Sequence, residues 1–550
     1  MTAQFKPTEL VDFVVIGAGA AGGVVAKELS TAGFSVVVLE QGPYAREKDF
    51  SHDEVRFGYQ GGFTNNTRLQ PVMYRKDEAT PAIARKAIMY GRQVGGGSVH
   101  FTANYWRFHE SDFHERSLFG DVPGTAFADW PISYNDLEPF YTKAEYDLGI
   151  SGVAGANPFE APRSKPYPLP PMPVKSSGVL FERATRKLGL HPFPAPMAIL
   201  SQPYRGRGAC VHCGFCEAYG CEVRAKSSSL ASVIPMAEKT GRCEIRPDSY
   251  VRRIETDGHG RARGAVYFDA QGREVFQRGR VVVVCANGVE SPRLLLLSES
   301  NLFPHGLANS SGLVGKHLMW DNGIMASAVF EHPLNEFKSI QVTRVIHDYY
   351  AADAKRGFYG GGGIDARFQY YPAGFALSGL PADAPRWGLE YKKTLGEYFT
   401  RTMTLLAHAT SLPMEKNSVS LDPEVKDAWG LPATRITFEN HPDDVRNLKW
   451  LLEREHEILE AMNPKKVWSV PQDPVIDTSV HLMGTCRMGQ DPKKSVVNRH
   501  SQTHDVRNLF VVDGSNFVTS ARQQPTATIQ ALAYHAADYM IRAAKSGDLG

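Results

Sequence analysis

Apolar side chains at residues 13–16 are followed by a Gly-rich turn, a stretch of helical periodicity through Leu29, Gly33, and a second apolar run at 36–39. That order predicts one strand–helix–strand unit and an α/β class. Residues 281–297, VVVVCANGVESPRLLLL, predict a second strand–turn–helix. Near the C-terminus NLFVVDGS predicts a strand ending at Asp513, with a helix starting near Pro525. One domain therefore draws on both chain ends. In DWPISYNDLEPFYTKAEYDLGI, Ser133 and Asp136 form a capping box for a helix running to about Leu148, expected at the surface or between domains. Residues 157–173 hold seven prolines and read as an extended connector. Alternating segments at 324–330, 418–422 and 434–438 and a helix from about 443 to 462 predict a second, sheet-based domain. A Gly/Pro/Ala-rich part at 360–387 interrupts it.

Length and composition narrow the class. At 550 residues the chain has room for two or three connected domains around a buried cofactor. Its 61 basic and 59 acidic residues leave a formal charge of +2 with no long run of one sign, so nucleic acid is not an expected partner. The longest apolar runs, at 281–286 and 294–297, fall far below the ~18 residues of a membrane span. The start MTAQFKPTEL has no twin-Arg pair and no apolar h-region, so no export signal of its own is expected.

Three patterns carry chemistry. Gly17-x-Gly19-x-x-Gly22, between a strand and a helix, has Glu40 at the end of the following strand. Such glycines bring backbone N–H groups against a pyrophosphate, and the carboxylate accepts from ribose hydroxyls. This motif alone leaves FAD and NAD open. Cys210, Cys213, Cys216 and Cys221 give the spacing CxxCxxCxxxxC. Zinc sites usually split into two separated pairs, whereas a compact CxxCxxC is similar to the run that wraps iron–sulfur clusters. The last gap here is one residue longer and no Pro follows. An iron–sulfur cluster is the first reading; disulfides, free thiols and zinc stay open. Cys285 in an apolar strand, Cys243 in a turn and Cys486 are read as unligated.

The third pattern is distributed. GRQVGGGSVHFTANYWR at 91–107, DWPISYNDLEPFY, CANGVESPRLLL, HLMGTCRMG and VVDGSNFVTSARQQPTATIQALA together resemble the glucose-methanol-choline (GMC) family of FAD oxidoreductases, in the family's order. The resemblance implies a Rossmann-like FAD domain interleaved with an α+β substrate domain on a six-stranded antiparallel sheet, oxidising alcohols by hydride transfer. The expected division is 1–320 for the FAD domain, with the Pro-rich insert 157–173 and a Cys-rich insert 204–224. Residues 321–475 form the substrate domain, and 476–550 return to the FAD domain. The implied cofactor residues are Gly17, Gly19, Gly22, Glu40, Gly96, Ser98, His100, Thr102, Val251, Ala286, Asp513, Gly514 and Thr526. His100 matches a position that bonds covalently to the flavin in some members and only packs near it in others. Thr102 matches one beside flavin N5, with an ordinary strand threonine as the alternative.

By the same resemblance His481 is the catalytic histidine, since alcohol oxidation needs a neutral imidazole to take the hydroxyl proton. Gln524 stands where the family usually has Asn or His, and Gln523 competes with it. The helix after Pro525 would turn its positive end toward the flavin. The Cys insert is similar to that of the large subunits of bacterial gluconate 2-dehydrogenase and related sugar and glycoside 3-dehydrogenases. This implies a cluster, 3Fe-4S in type, that uses three of the four cysteines and passes electrons to a cytochrome c subunit or another acceptor. It also implies a small subunit carrying the twin-Arg signal and a periplasmic or membrane-associated place, with the cytoplasm still open. Three alternatives remain: an oxygen-using oxidase of the pyranose oxidase type with structural cysteines, a flavin-binding assembly protein, and aromatic alcohols as substrates. His347, His408, Tyr349, Tyr350, Tyr370 and Tyr371 are candidates for stacking on a sugar ring, each equally at home in a core.

Overall fold

The structure is a computed structural model that describes residues 3–320, 322–469 and 479–549. Residues 321, 475 and 476, where the expected domain boundaries fall, lie outside the described residues.

A seven-stranded sheet forms around Val11–Ile16, which pairs in parallel with Val36–Leu39 on one side and with the end of Glu274–Val284 on the other. Cys243–Arg246 extends it in parallel beyond Val36–Leu39, and Leu509–Val511 joins Glu274–Val284. Cys243, expected in a turn, thus opens an edge strand, because its main chain ladders with Val36. The central strands are β-branched runs buried on both faces: Val14, Val15, Val37, Val38, Val282 and Val283 are fully buried. Removing each from water stabilises the fold by about 1.5–3 kcal/mol. The first half of Glu274–Val284 belongs to an antiparallel meander with Ala262–Phe268 and Tyr250–Thr256.

Helix Ala20–Thr31 packs on this sheet, Thr526–Ser546 packs on that helix, and Tyr134–Leu148 packs on Thr526–Ser546. Ser133 and Asp136 make the expected capping box, with Ser133 Oγ accepting from Asp136 N at 3.2 Å. The helix is exposed along Asn135, Asp136, Pro139 and Lys143 and buried on its other face. Leu137, Tyr141, Ala144 and Leu148 are buried against the C-terminal helix, with a 2.6 Å hydrogen bond between the Tyr141 and Thr528 hydroxyls.

A six-stranded antiparallel sheet runs in the order Lys466–Ser469, Asn322–Val329, Thr402–Ala409, Gly362–Arg367, Arg344–Ile346, Phe193–Pro194. Its last strand comes from far earlier in the chain than the rest. Helix Pro442–Ala461 covers one face, and the period-2 alternation of strands decides what meets it. Met403, Leu405, Ala407, Ile364 and Ala366 point to the helix core. Thr404, His408, Asp365 and Arg367 occupy the opposite parity, and His408 and Arg367 line the cavity on that side. Gly362–Arg367 is a central strand inside the segment read as a Gly/Pro/Ala-rich interruption. No helix among the described residues is long and apolar enough to cross a membrane.

Candidate active site

A cavity of about 800 Å³ runs from the C-terminal ends of the parallel strands to the open face of the six-stranded sheet. Its first part is a backbone cradle. Gly17 has φ +99°, and a Cβ on Gly22 would stand 1.9 Å from the Gly17 carbonyl oxygen, so helix and strand meet only because both are glycine. Gly96, at φ +53°, brings a second loop against the turn, where a Cβ would lie 2.7 Å from Gly19 Cα. Helix Ala20–Thr31 has Gly19 at its N-cap with no side-chain cap, leaving its first N–H groups toward the cavity. Glu40 accepts from Ala18 N at 2.9 Å and Gly42 N at 3.0 Å, and burial pushes its carboxyl up to about 7. This volume, the glycine cradle and the carboxylate fit a dinucleotide such as FAD.

Gly17, Gly19, Glu40, Gly96, Ser98, His100, Thr102, Val251, Ala286, Asp513, Gly514 and Thr526 all line this cavity. Gly22 does not; it acts through the turn behind them. Asp513 accepts from Asn287 N at 3.0 Å, Ser291 Oγ at 2.5 Å and Ser515 N at 2.8 Å, which joins the strand–turn–helix units from the middle and end of the chain. Burial holds the His100 imidazole down to about 4, with the Lys226 ammonium adding to the effect, so the ring is neutral. Its Nδ1 lies 3.2 Å from the Ala218 carbonyl and its Nε2 2.7 Å from the Gln93 amide nitrogen. That arrangement assigns the proton to Nδ1 and the lone pair to Nε2.

His481 and Gln524 meet in the same cavity. His481 precedes Leu482–Met483, which pairs with Met319–Trp320, and its main chain is tied to Ser479 Oγ at 3.0 Å. Gln524 is 6% exposed, and its amide nitrogen lies 2.7 Å from His408 Nε2. Gln523 turns away and donates to the Arg107 carbonyl. Among the aromatic candidates, His408 lines the cavity whereas His347 packs against His109, 3.0 Å between ring nitrogens. Tyr350 donates to Asp112 at 2.6 Å, Tyr371 donates to the Glu217 carbonyl at 2.7 Å, and Tyr349 and Tyr370 pack against Trp450 and Phe375. Reading of the sequence missed Glu217, Arg367 and Gln369, which complete the wall. The alternation in TMTLLAHA, residues 402–409, was the available signal for the sheet that carries His408.

The four clustered cysteines line a separate small cavity of about 40 Å³. All are free thiols; Cys213 is exposed and Cys216 buried. Cys210 Sγ accepts from His212 N at 3.4 Å and Cys221 Sγ from Lys226 N at 3.5 Å. The buried Lys226 ammonium donates to the carbonyls of Phe101, Cys216 and Tyr219. Burial raises the Cys210 thiol to about 11 and the Cys216 thiol to about 12. Among the described residues no three His, Cys, Asp or Glu side chains are grouped to hold a metal ion.

Comparison with known proteins agrees with this geometry. Models described as GMC oxidoreductase match residues 11–320 and 413–533. The chain is 34% identical to 2-methyl-1,2-propanediol dehydrogenase of Mycolicibacterium austroafricanum, over 96% of this chain and 95% of that one. It is 32% identical to the gluconate 2-dehydrogenase flavoprotein of Pantoea cypripedii, over 96% and 93%. Pyridoxine 4-oxidase from Mesorbium loti shares the fold, with a TM-score of 0.65 at 18% identity over 96% and 99% of the chains. The chain therefore belongs to the GMC oxidoreductase family, FAD-dependent enzymes that oxidise CH–OH groups.

Proposed function

We propose that the chain is the flavoprotein subunit of a dehydrogenase that oxidises a secondary alcohol of a sugar, glycoside or aldonate and passes electrons out through an iron–sulfur cluster. The observation that carries this reading is the meeting of His481 and Gln524 with the dinucleotide cradle in one cavity, whose wall includes Glu217 and Ala218 from the Cys-bearing loop.

FAD, when bound, accepts the hydride from the carbinol carbon. The chain does the rest. The backbone at Gly17, Gly19 and Gly96, the N–H groups of helix Ala20–Thr31 and the Glu40 carboxylate hold the dinucleotide, with Ser98, Val251, Ala286, Asp513, Gly514 and Thr526 along it. The His481 imidazole takes the hydroxyl proton. Gln524, beside His408, donates an amide N–H to the oxygen of the reacting hydroxyl and fixes its direction. Thr102 borders the redox end of the cavity. His100, whose lone pair is assigned to Nε2 beside the Gln93 amide, would hold the flavin through this atom.

Three of Cys210, Cys213, Cys216 and Cys221 would hold the cluster, 3Fe-4S in type, which moves electrons one at a time. Lys226 and the N–H groups of His212 and Lys226 offset the negative charge of its sulfurs. The acceptor is a cytochrome c subunit or an equivalent carrier, a small subunit supplies the export signal, and the complex works in the periplasm or at its membrane. The relative from Pantoea cypripedii, named a gluconate 2-dehydrogenase flavoprotein, supports the substrate class. Anaerobic mixing with sugars, glycosides and aldonates tests the reaction. Bleaching of the flavin band and turnover with an electron-accepting dye are expected; stoichiometric peroxide in air with no need for dye would favour an oxygen-using oxidase.

A further inference from the structure

The cavity wall opposite the FAD cradle is polar beyond what one reacting hydroxyl requires. Arg367 grips Asp365 with two hydrogen bonds, Nε to Oδ1 at 2.6 Å and Nη2 to Oδ2 at 2.5 Å. His408 Nε2 stands 3.0 Å from the same Asp365 Oδ2. Strand register sets the pair: Gly363 lies directly opposite His408, so Asp365, two residues on, stands diagonal to the ring. The Arg367 charge is thereby matched by Asp365. Burial raises Asp365, yet Arg367 and His408 outweigh it and hold the carboxyl below its ordinary range. Two residues along from Arg367, on the same side of the chain, Gln369 donates to Glu217 Oε1 at 3.3 Å.

Two buried oxygens of this wall accept no hydrogen bond among the described residues, Glu217 Oε2 and Gln369 Oε1, with the Gln341 amide beside the Glu217 carboxyl. Buried acceptors are ordinarily satisfied, so such a set points to a ligand that brings the protons. Gln524 answers the reacting hydroxyl in the reading above, on which this inference rests. Glu217 and Gln369 are then left for other groups, and a monohydric alcohol has none to offer. The wall carries the Glu217 carboxyl, and its Arg367 is already matched by Asp365, which disfavours a carboxylate against it.

We propose that Glu217 and Gln369 form a hydroxyl-recognising subsite that selects a neutral polyol or sugar, whose further hydroxyls donate to them while His481 and Gln524 hold the reacting one. Sites built to bond a hydroxyl discriminate strongly against the analogue that lacks it.

The test is anaerobic flavin reduction in the holoenzyme with butan-2-ol, butane-2,3-diol, meso-erythritol, sorbitol and D-gluconate. The rate per unit concentration should rise by about tenfold or more from butan-2-ol to the diol and again to erythritol, with sorbitol ahead of gluconate by a similar factor. Glu217→Gln and Gln369→Leu should each shrink the erythritol-to-butan-2-ol ratio by about tenfold. The second change lies outside the Cys loop, so a disturbed cluster cannot imitate it. Equal rates for butan-2-ol and erythritol in the wild type, or a preference for gluconate, overturn the subsite and leave alcohol oxidation standing. If none of the five probes bleaches the flavin, the broader reading falls as well.

Discussion

Ala218 and His100 hold each other twice: Ala218 N donates to the His100 carbonyl at 2.8 Å, and the Ala218 carbonyl lies 3.2 Å from His100 Nδ1. Ala218 is two residues from Cys216, so this pair ties the cysteine loop to the FAD cavity through one short stretch of backbone. Redox centres on the two sides of it would be close neighbours, as a relay requires.

His481→Ala should keep its flavin, because the cradle lies on other elements, and should lose turnover by ~10² or more. Flavin content from the absorbance of the purified protein, with single-turnover reduction by erythritol, separates the two. Unchanged reduction would remove His481 from the role of base.

Gln524→Ala removes the amide beside His408 and the donor that orients the oxygen of the reacting hydroxyl. Loss of one aimed hydrogen bond in a buried site costs about 1–3 kcal/mol, or roughly one to two powers of ten in kcat/KM. Gln524→Asn should recover part of it, since the shorter amide keeps the same group. A pure stability defect would lower flavin content without this rescue.

Gly96→Ala places a Cβ 2.7 Å from Gly19 Cα, backbone against backbone, in a left-handed conformation. Strain of about 1–3 kcal/mol is expected and the cradle should open. The measurement is FAD per chain after gel filtration, which should fall well below the wild-type ratio.

The His100 imidazole, held near 4 in the fold against an ordinary 6.5, makes stability depend on acid. Above pH 6.5 both folded and unfolded forms are neutral and its contribution is full. Between 6.5 and 4 only the unfolded chain takes the proton, so the contribution is lost as pH falls, to a total of about 3 kcal/mol. Unfolding curves of wild type and His100→Gln at pH 7 and pH 4 should differ in gap by about that amount. Acid precipitation of the wild type should also leave yellow flavin in the pellet, and that of the variant should release it.

The nucleotide-binding half was legible in the sequence because its signals are local. Gly17, Gly19, Gly22 and Glu40 lie within one strand–helix–strand unit, and the strands at 11–16 and 36–39 are apolar but for Asp12. The substrate wall was not legible, because it is assembled by register. Asp365 meets His408 only through the pairing of two strands, one hidden in a glycine-rich stretch, and Glu217 lay unnoticed between the cysteines. Within Tyr134–Leu148, Asp136 and Lys143 stay exposed, yet Glu145 is buried in ion pairs with Arg107 and Arg163. Charge in a sequence signals solvent until the partner is seen.

The central claim is that Cys210, Cys213, Cys216 and Cys221 carry electrons away from the flavin. Iron and acid-labile sulfide per flavin, measured in protein purified without air and read with the low-temperature electron paramagnetic resonance spectrum, tests it most directly. About three irons per flavin are expected, falling in Cys216→Ser. Flavin-replete wild-type protein with no iron and no sulfide would contradict it.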